Sequence, residues 1–508
     1  MPNFPLAILS ETPLQKKLKQ ALDTPQVNHF KTAVGSGRTL ALASCFQQEA
    51  HSLLWVLENP EQAAYYLNDL EELLGTTTVL FFPASYRQAY VSEATDNANV
   101  LLRAEVLRKL TNSKRPRIIV TYPQAVFEKV ISQHTLKKNT LKVQKGTALS
   151  LDFINETLFE YGFERADFVT EPGTFSVRGG IIDVFSYSNQ HPYRIEFFGD
   201  EVESLRSFDV RTQLSIQQYE QIELIPNTSS LTFTDKRKTL LDLLPEQSTV
   251  LFENLDGCCD RLEHLFDKAT LQYEGLDTTT QFPPETLFCQ SEEWLAALRE
   301  RPVGLFQNSD RLPATKTLLW GQAPQPSFNK QFDLLVAHLN SNNEKGWTNY
   351  LCCSNEQQVK RFHDIFQEME ETVHYKTLVC PLFEGFEDPE AKIAVFTDHQ
   401  IFNRYHKYRL KSQKTKADAL TLQELTLMEV GDYVTHMDHG IGRFGGLQHI
   451  DVEGKKQEAI KLVYGEGDVL YLSIHSLHKI TKFNGKDGKV PKLLKLGSKA
   501  WKALKQKT

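Results

Sequence analysis

The residues best suited to chemistry form a glycine loop near the N-terminus, residues 32–39 (TAVGSGRT). A working phosphate loop follows the pattern GxxxxGK[ST], in which backbone N–H groups and the lysine hold the phosphates. Four positions are compatible with that pattern: Gly35, Ser36, Gly37 and Thr39. However, Thr32 replaces the first glycine, whose backbone angles a threonine resists, and Arg38 replaces the compact lysine ammonium with a planar guanidinium. We therefore expect a degenerate loop that packs without holding nucleotide, with a weak nucleotide site as the alternative.

A second motif, His436 and His439, has the three-residue spacing of some metal ligands. A zinc site usually needs further histidine or cysteine ligands, and no cysteine lies nearby to complete a set. We expect no metal and predict that these histidines form hydrogen bonds within a turn. The seven cysteines form no CxxC pair, which favours a reducing compartment over disulfides or zinc.

Residues 174–213 form a dense run of short predicted strands separated by Gly-Gly, Ser-Asn and Gly-Asp turns. Strand alternation places Val177 and Arg178 on opposite faces, so Arg178 faces solvent if Val177 faces the core. By spacing alone, Arg178 is one residue of a solvated strand face. The alternating charges that follow predict an exposed face and not a pair of catalytic carboxylates: Arg194, Glu196, Asp200 and Glu201. The predicted core of this region is apolar: Phe175, Ile181, Ile182, Val184 and Phe185.

The overall composition excludes several classes of protein. A chain of 508 residues is too long for a single core. It has no run of eighteen apolar residues, which argues against a membrane span, and its N-terminus lacks the pattern of a secretion signal. The net charge of −7 argues against wholesale coating of nucleic acid. We expect a cytoplasmic, multidomain protein of ordinary globular composition.

Patterns along the chain predict the elements that position these motifs. Apolar runs predict buried strands at residues 78–83, 117–122, 249–253, 334–338 and 392–397. Helical spacing predicts helices over residues 47–74 and 149–161. Residues 430–482 are rich in glycine, valine and tyrosine, which is typical of a small β-barrel.

These patterns predict a multidomain α/β protein, in which a degenerate P-loop-type α/β domain carries an inserted α+β module. A further α/β domain and a C-terminal SH3/Tudor-like β-barrel follow. The predicted boundaries are 1–134 and 213–312 for the two parts of the first domain, 135–212 for the inserted module, 313–403 for the α/β domain of unknown role, 404–425 for a linker, 426–485 for the barrel and 486–508 for a basic segment.

Residues 174–213 and the stretch 430–471 (VGDYVTHMDHGIGRF and LVYGEGDVLY within it) also carry a family resemblance. The first resembles the module shared by UvrB and the bacterial transcription-repair coupling factors. The second resembles the RNA-polymerase-interaction domain of those factors, which CarD-type regulators also contain. Because the glycine loop departs from the phosphate-loop pattern and the predicted barrel is present, the chain as a whole resembles the N-terminal half of a coupling factor.

The resemblance implies two partners and their contact residues. Arg165, Arg178 and Phe185 match positions that contact UvrA, and an arginine fork suits a carboxylate partner. Strand pairing would join the barrel to the RNA polymerase β subunit. The matching positions are Leu447, Gln448, His449 and Ile450, and Ile450 is either the central contact or a core residue. In the family an ATP-driven translocase that acts on double-stranded DNA follows the basic segment, with ATP and magnesium as its cofactors. We expect no catalytic residue, cofactor or metal in the present chain, and a monomer.

Two other classes remain as alternatives. A UvrB-type damage-verifying ATPase would share the inserted module, but Arg38 and the barrel argue against it. A CarD-type transcription regulator would share the barrel and would leave the first 310 residues unexplained. Nucleotide binding tests the first alternative, and UvrA binding tests the second.

Overall fold

The structure is a computed structural model. It describes residues 4–10, 12–48, 51–85, 90, 97–113, 115–210, 212–227, 237–276, 282–369, 372–404, 428, 430–436, 439–452, 455–473, 480–482 and 493. The chain divides into two compact units, which are residues 1–138 with 228–412 and residues 139–227 with 413–508. None of the helices in these described ranges is long and apolar enough to cross a bilayer.

Helices and strands are numbered in chain order. The helices are α1 (Ala7–Ser10), α2 (Pro13–Asp23), α3 (Gly35–Gln48), α4 (Pro60–Leu74), α5 (Asn97–Asn112), α6 (Pro123–Phe127), α7 (Gln133–Lys138), α8 (Leu151–Glu160), α9 (Leu255–Glu274), α10 (Pro284–Leu287), α11 (Ser291–Leu298), α12 (Phe332–Glu344), α13 (Glu356–Glu368) and α14 (Asp398–Ile401).

The strands are β1 (Val27–Lys31), β2 (Leu53–Val56), β3 (Val79–Phe81), β4 (Ile118–Thr121), β5 (Leu141–Gln144), β6 (Glu164–Arg165), β7 (Thr174–Arg178), β8 (Ile181–Val184), β9 (Tyr193–Phe198), β10 (Glu201–Phe208), β11 (Ser215–Gln218), β12 (Gln221–Leu224), β13 (Thr249–Phe252), β14 (Val303–Leu305), β15 (Lys316–Leu319), β16 (Ala323–Pro324), β17 (Thr348–Cys353), β18 (Lys376–Val379), β19 (Phe386–Asp388), β20 (Ile393–Thr397), β21 (Tyr433–His436), β22 (Gly440–Val452), β23 (Lys455–Val463), β24 (Val469–Ser473) and β25 (Ile480–Lys482).

The first unit is built around a seven-stranded parallel sheet, in the order β15-β1-β14-β13-β2-β4-β3. Every residue of β2, β4 and β13 is buried, which explains their continuous apolar sequences. Helix α4 illustrates the local signals. The Asn59 side chain caps its first turn, Pro60 occupies the first position, and Gly75 ends the helix with a φ of 82°.

The same unit contains a five-stranded mixed sheet, in the order β16-β19-β20-β17-β18. Helices α12 and α13 pack on it through an apolar cluster that includes Leu335, Leu339, Phe362, Phe366 and Phe396. The segment between β18 and β19 forms hydrogen bonds with Ser36 of α3 and with Asp69 of α4.

The second unit contains a six-stranded sheet, β11-β10-β9-β8-β7-β6, and the antiparallel pair β12-β5. Helix α8 begins at the Ser150 cap and packs Phe159 edge-on against Phe175 of β7, with ring centroids 5.1 Å apart. The C-terminal residues form a five-stranded antiparallel sheet, β24-β23-β22-β21-β25, which we call the C-terminal sheet.

Several strand and helix predictions are confirmed, and others are wrong. The strands at 78–83, 117–122, 249–253 and 392–397 and the helix at 149–161 all exist, within a few residues. The predicted helix at 47–74 is interrupted by β2, and residues 334–338 lie in α12 and not in a strand. Short apolar runs fit either element, and here the tertiary context decides between them.

Two predicted boundaries also differ from the structure. The inserted module was predicted to end at residue 212, but β11 pairs with β10 and β12 pairs with β5, so the module continues to about residue 227. The further α/β domain was predicted to begin at residue 313, but β15 pairs with β1 and therefore completes the parallel sheet. Strands β12 and β15 each pair with a strand far away in sequence, β5 and β1 respectively.

Candidate functional site

The glycine loop connects β1 to α3, the position at which α/β proteins commonly hold phosphates. Thr32 has a φ of 59° and Gly35 a φ of 47°, both in the left-handed region. Thr32 therefore adopts a conformation that favours glycine, and its Cβ causes steric strain there. The hydroxyl of Thr32 accepts a hydrogen bond from the Gly321 N–H at 2.8 Å.

The backbone donors of this loop are already used within the protein. The Ser36 N–H donates to the Glu384 carbonyl at 3.1 Å, and the Gly37 N–H donates to the Val34 carbonyl at 3.1 Å. The Val34 N–H donates to Gln322 Oε1 at 3.4 Å. A phosphate would have to displace these protein acceptors to reach the same groups.

Arg38, which replaces the lysine of a phosphate loop, is held by its own surroundings. It forms an ion pair with Glu253 at 2.5 Å, and the side chains of the two residues are 16% and 7% exposed. Its Nε donates to the Ala33 carbonyl at 2.9 Å, and its guanidinium lies 4.8 Å from the centroid of the Phe306 ring. Burial raises the pKa of Glu253, and Arg38 opposes that rise.

The loop hydroxyls of Ser36 and Thr39 both reach Asp69 of α4. Ser36 Oγ donates to Asp69 Oδ2 at 2.5 Å, and Thr39 Oγ1 lies 3.1 Å from the same oxygen. Asp69 Oδ1 accepts the Phe383 N–H at 2.7 Å. Burial raises the pKa of Asp69 to about 7, although the hydrogen bonds from Ser36, Phe383 and Thr39 oppose that rise. Asp69 was not singled out from the sequence, but it lies between Tyr66 and Leu73 on the apolar face of α4, which is a detectable signal.

The inserted module contains a buried carboxylate, Asp183, between two arginines. Arg194 donates to both Asp183 oxygens, from Nε at 2.6 Å and from Nη2 at 2.8 Å. Arg178 pairs with Asp183 at 2.5 Å, and its side chain is 37% exposed. The prediction that Arg194 lies on an exposed face is wrong, because Arg194 is only 9% exposed and packs over Phe208. Asp183 was also overlooked, although a lone charge in the apolar strand IIDV indicates a buried ion pair.

The three predicted UvrA-contact residues occupy different environments. Arg178 is partly exposed and Arg165 is exposed. Arg165 pairs in register with Phe175, so alternation along β7 puts Arg165 and Arg178 on opposite faces of the sheet. Phe185 is buried, as the core interpretation predicted, so only the arginines are accessible to a partner.

Phe168 connects the inserted module to the C-terminal sheet. It belongs to the apolar cluster of that sheet, together with Val434, Phe444, Ile460, Leu462, Tyr464 and Leu472. The Arg178 guanidinium lies 5.2 Å from the centroid of the Phe168 ring. The accessible arginine and the core of the C-terminal sheet therefore contact the same side chain. No sequence pattern marked Phe168, because its partners lie more than 250 residues away.

One edge of the C-terminal sheet changes partners along β22. Residues Gly440 to Arg443 pair with β21, and β23 pairs with Arg443, Phe444 and the segment from Leu447 to Val452. An irregularity in the β22–β23 register lies between Phe444 and Leu447. In the part of the chain that the structure describes, no strand pairs with the other edge of residues 447–452.

The four predicted polymerase-contact residues lie on this edge segment. Leu447 is half-buried against the sheet's core, and Gln448 is exposed and accepts the Tyr471 hydroxyl hydrogen at 3.3 Å. The backbones of His449 and Ile450 pair with Glu458 and Gln457. Their side chains lie outside the described residues, so the choice between contact and core for Ile450 stays open.

The two histidines of the HxxH motif lie next to each other, His436 as the last residue of β21 and His439 directly before β22. His436 Nδ1 accepts the His439 N–H at 3.3 Å, as the turn interpretation predicted, and the ring centroids are 4.8 Å apart. The described residues contain no cluster of three or more histidine, cysteine or acidic side chains arranged to hold a metal ion.

Comparison with known proteins finds matches to two domain families and to transcription-repair-coupling factors. Residues 141–229 match the UvrB interaction domain, and residues 428–484 match the CarD-like/TRCF RID domain. The transcription-repair-coupling factor of Bacillus subtilis is 25% identical over 554 aligned positions, which cover 93% of this chain and 46% of that protein. The factors of Staphylococcus aureus and Haemophilus influenzae are each 24% identical and cover 95% and 92% of this chain.

The resemblance to the transcription-repair-coupling factors is confirmed. The chain spans about half the length of the curated relatives it matches. Neither alternative is favoured, because a CarD-type regulator would account only for residues 428–484 and a UvrB-type protein would not account for that domain. The UvrB interaction domain coincides with the module that carries Arg165, Arg178 and Asp183, and the RID domain coincides with the C-terminal sheet.

Proposed function

We propose that this chain is an adaptor in transcription-coupled DNA repair, which links stalled RNA polymerase to UvrA. The observation that carries the proposal is the presence of two interaction domains in a chain that is similar to coupling factors over 93% of its length. Such an adaptor acts in the cytoplasm as a monomer. In the complete coupling factor, ATP-driven translocation on double-stranded DNA would displace the polymerase.

The UvrA contact of this adaptor uses Arg165 and Arg178. Arg165 is exposed, and Arg178 presents about a third of its side chain to solvent while Asp183 fixes its position. An arginine that is held in place loses little conformational entropy on binding a carboxylate. Arg178 is thus the stronger contact of the two, and Arg165 adds a second positive charge on the other face of the same sheet edge.

The polymerase contact uses the edge of β22 at Leu447, Gln448, His449 and Ile450. Support comes from the backbone, because this segment pairs with β23 on one side and with none of the described strands on the other. An edge of this kind is able to accept a strand from another protein by main-chain hydrogen bonding. The partner strand would belong to the polymerase β subunit.

The adaptor holds neither ATP nor magnesium and has no ATPase activity of its own. The filled hydrogen bonds of the glycine loop and the ion pair of Arg38 with Glu253 support this part of the proposal. Isothermal titration with Mg-ATP should give no binding below millimolar concentration, and a micromolar Kd would revive a UvrB-type ATPase.

A bridging experiment tests the adaptor. UvrA is immobilised, the chain is added, and a polymerase β fragment is then injected in surface plasmon resonance. We expect the β fragment to be retained only when the chain is present. Ile450→Arg should abolish retention of the β fragment and leave UvrA binding unchanged, because a charge at a strand-pairing edge opposes desolvation.

Val469→Arg is the matched control, since Val469 is 39% exposed on β24, an edge strand of the C-terminal sheet that β23 separates from β22. It should leave both partners bound. If the two variants lose the β fragment equally, or if the wild-type chain binds only one partner at a time, the adaptor proposal is wrong. A loss of sheet structure in Ile450→Arg, detected by circular dichroism, would instead identify Ile450 as a core residue.

A further inference from the structure

The segment between β18 and β19 enters the glycine loop. We call Phe383–Gly385 the plug segment, and we call Gly35, Ser36 and Asp69 the socket. Three hydrogen bonds, all to backbone groups of the plug segment, join them. The Ser36 N–H donates to the Glu384 carbonyl at 3.1 Å, the Glu384 N–H donates to Ser36 Oγ at 3.0 Å, and the Phe383 N–H donates to Asp69 Oδ1 at 2.7 Å. The socket therefore recognises the backbone of the plug segment and not only its side chains.

Shape reinforces this pairing. A Cβ atom added to Gly35 would lie 2.9 Å from the Glu384 Cβ, so the socket accepts the plug segment only with glycine at this position. The Phe383 ring stacks on Tyr65, with centroids 4.1 Å apart and an interplanar angle of 13°, and it meets Tyr66 edge-on at 5.9 Å. A side chain at Gly37 would collide with Gln322, whose Nε2 donates to Asp388 of β19 at 3.0 Å.

We propose that the glycine loop is a protein-docking socket, in which the backbone of Phe383–Gly385 occupies the place of a ligand and fastens the five-stranded sheet to the parallel sheet. This gives a role to the α/β region whose sequence suggested none. The N–H group of Ser36, which in a phosphate loop would face an anion, here meets a carbonyl oxygen of the same chain. The inference is independent of the adaptor proposal, because it concerns no partner of the chain.

Exchange of backbone amide hydrogens tests the socket in the full chain. In the wild type, a peptide that covers residues 381–386 should be protected, because the Phe383 and Glu384 amides both donate to socket atoms. Ser36→Ala removes the acceptor of the Glu384 amide and should accelerate exchange in this peptide at least 10-fold. Ser354→Ala is the control, since Ser354 directly follows β17 of the five-stranded sheet and its hydroxyl donates to Asp398 of α14 at 2.8 Å, away from the socket.

A second pair of variants separates docking from backbone strain. Gly35→Ala and Gly346→Ala both place a side chain at a positive φ, of 47° and 75°, but only the Cβ at Gly35 would meet the plug segment, whereas Gly346 faces open space. Only Gly35→Ala should expose the 381–386 peptide to exchange. Equal exchange in both variants, or a wild-type peptide that exchanges as fast as an unfolded one, would overturn the proposal.

Restoring the phosphate-loop residues gives an independent readout. Thr32→Gly combined with Arg38→Lys should still show no binding of Mg-ATP by isothermal titration, because the plug segment continues to occupy the Ser36 N–H. Micromolar binding by this double variant would mean that Thr32 and Arg38 alone prevent nucleotide binding, and the socket proposal would then be wrong. Neither outcome affects whether the chain binds UvrA or polymerase.

Discussion

Arg38 and Arg178 form ion pairs of the same length in two different settings. Each lies 2.5 Å from a largely buried carboxylate, Glu253 for Arg38 and Asp183 for Arg178. The side chain of Arg38 is 16% exposed and that of Arg178 is 37% exposed. Asp183 has a second arginine partner in Arg194, whereas Glu253 forms an ion pair with no second arginine among the described residues.

The difference shows that an arginine–carboxylate pair does not by itself indicate a binding surface. Around the glycine loop the pair belongs to a network in which the N–H groups of Val34, Ser36 and Gly37 already have acceptors within the protein. In the inserted module the pair positions an arginine and leaves part of it accessible, because Arg194 already neutralises the buried carboxylate. Variants at these residues should therefore separate stability from partner binding.

The largest effect is expected at Asp183. Asp183→Asn removes the charge that compensates buried Arg194, and uncompensated buried charges typically cost about 3–5 kcal/mol of unfolding free energy. Thermal unfolding followed by circular dichroism, with hydrogen exchange of the inserted module, measures the loss. Asp200→Asn, in an exposed turn between β9 and β10, is the control and should change little. A stable Asp183→Asn variant would mean that the Arg178–Asp183–Arg194 cluster contributes nothing to folding.

Arg38→Ala should also destabilise the protein, by about 3 kcal/mol, because it leaves the buried Glu253 carboxylate without its cation. Trp55, Trp294 and Trp320 are buried in the same unit, so urea unfolding followed by tryptophan fluorescence reports this loss. The affinity for UvrA should stay at the wild-type value. Weaker UvrA binding by a folded Arg38→Ala variant would contradict the distinction between the two arginines.

Arg178→Ala should show the opposite behaviour. Arg194 still satisfies Asp183, so the unfolding free energy should change by less than about 1 kcal/mol, as is usual for partly exposed pairs. UvrA should dissociate faster, with a loss of about 2 kcal/mol in binding free energy, or roughly 30-fold in Kd. Arg165→Ala should weaken the complex less, and surface plasmon resonance compares both variants. Normal UvrA binding by Arg178→Ala would remove this residue from the contact.

The inserted module and the C-terminal sheet were easier to predict from the sequence than the contacts around the glycine loop. The inserted module and the C-terminal sheet were recognisable because their turns and glycines lie in continuous stretches. The socket was not recognisable from the sequence, since Ser36 and Glu384 are 348 residues apart and no local pattern connects them. Thr32 and Arg38 depart from the phosphate-loop pattern and indicated that the loop does not bind nucleotide. Only the tertiary contacts show that Phe383–Gly385 occupies it.

Asp69 should make the stability of the unit that contains the glycine loop depend on pH. Its pKa is about 7 in the folded protein against 3.8 for the ordinary group, so the folded state binds more protons than the unfolded state between these values. The stabilisation from protonated Asp69 is therefore present at low pH and is lost as the pH rises through about 7. The neighbouring groups that face Asp69 are Glu384, Tyr66, Cys352 and Cys380, and burial raises the pKa of each of them.

Comparison with Asp69→Asn isolates this contribution. The unfolding free energy of the wild type should fall relative to the variant by about 1.4 kcal/mol per pH unit between roughly pH 4 and 7, and then level off. Urea unfolding at pH 5, 6, 7 and 8, followed by tryptophan fluorescence, measures this difference. A constant difference across that range would show that Asp69 is ionised throughout and that burial in the socket does not control its charge.

The smallest effect is expected at Thr32. Its φ of 59° favours glycine, so Thr32→Gly relieves steric strain, while the hydrogen bond from the Gly321 N–H to the Thr32 hydroxyl is lost at an exposed position where water replaces it. The net result should be a gain of about 0.5–1 kcal/mol in unfolding free energy. Lys392→Gly, at a φ of 51° in the same unit, is the matched control and should gain a similar amount. If Thr32→Gly destabilised the protein while Lys392→Gly stabilised it, the threonine hydroxyl would be part of the closure of the loop. Its replacement of glycine would then contribute directly to holding Gly321 and the neighbouring Gln322 against the socket.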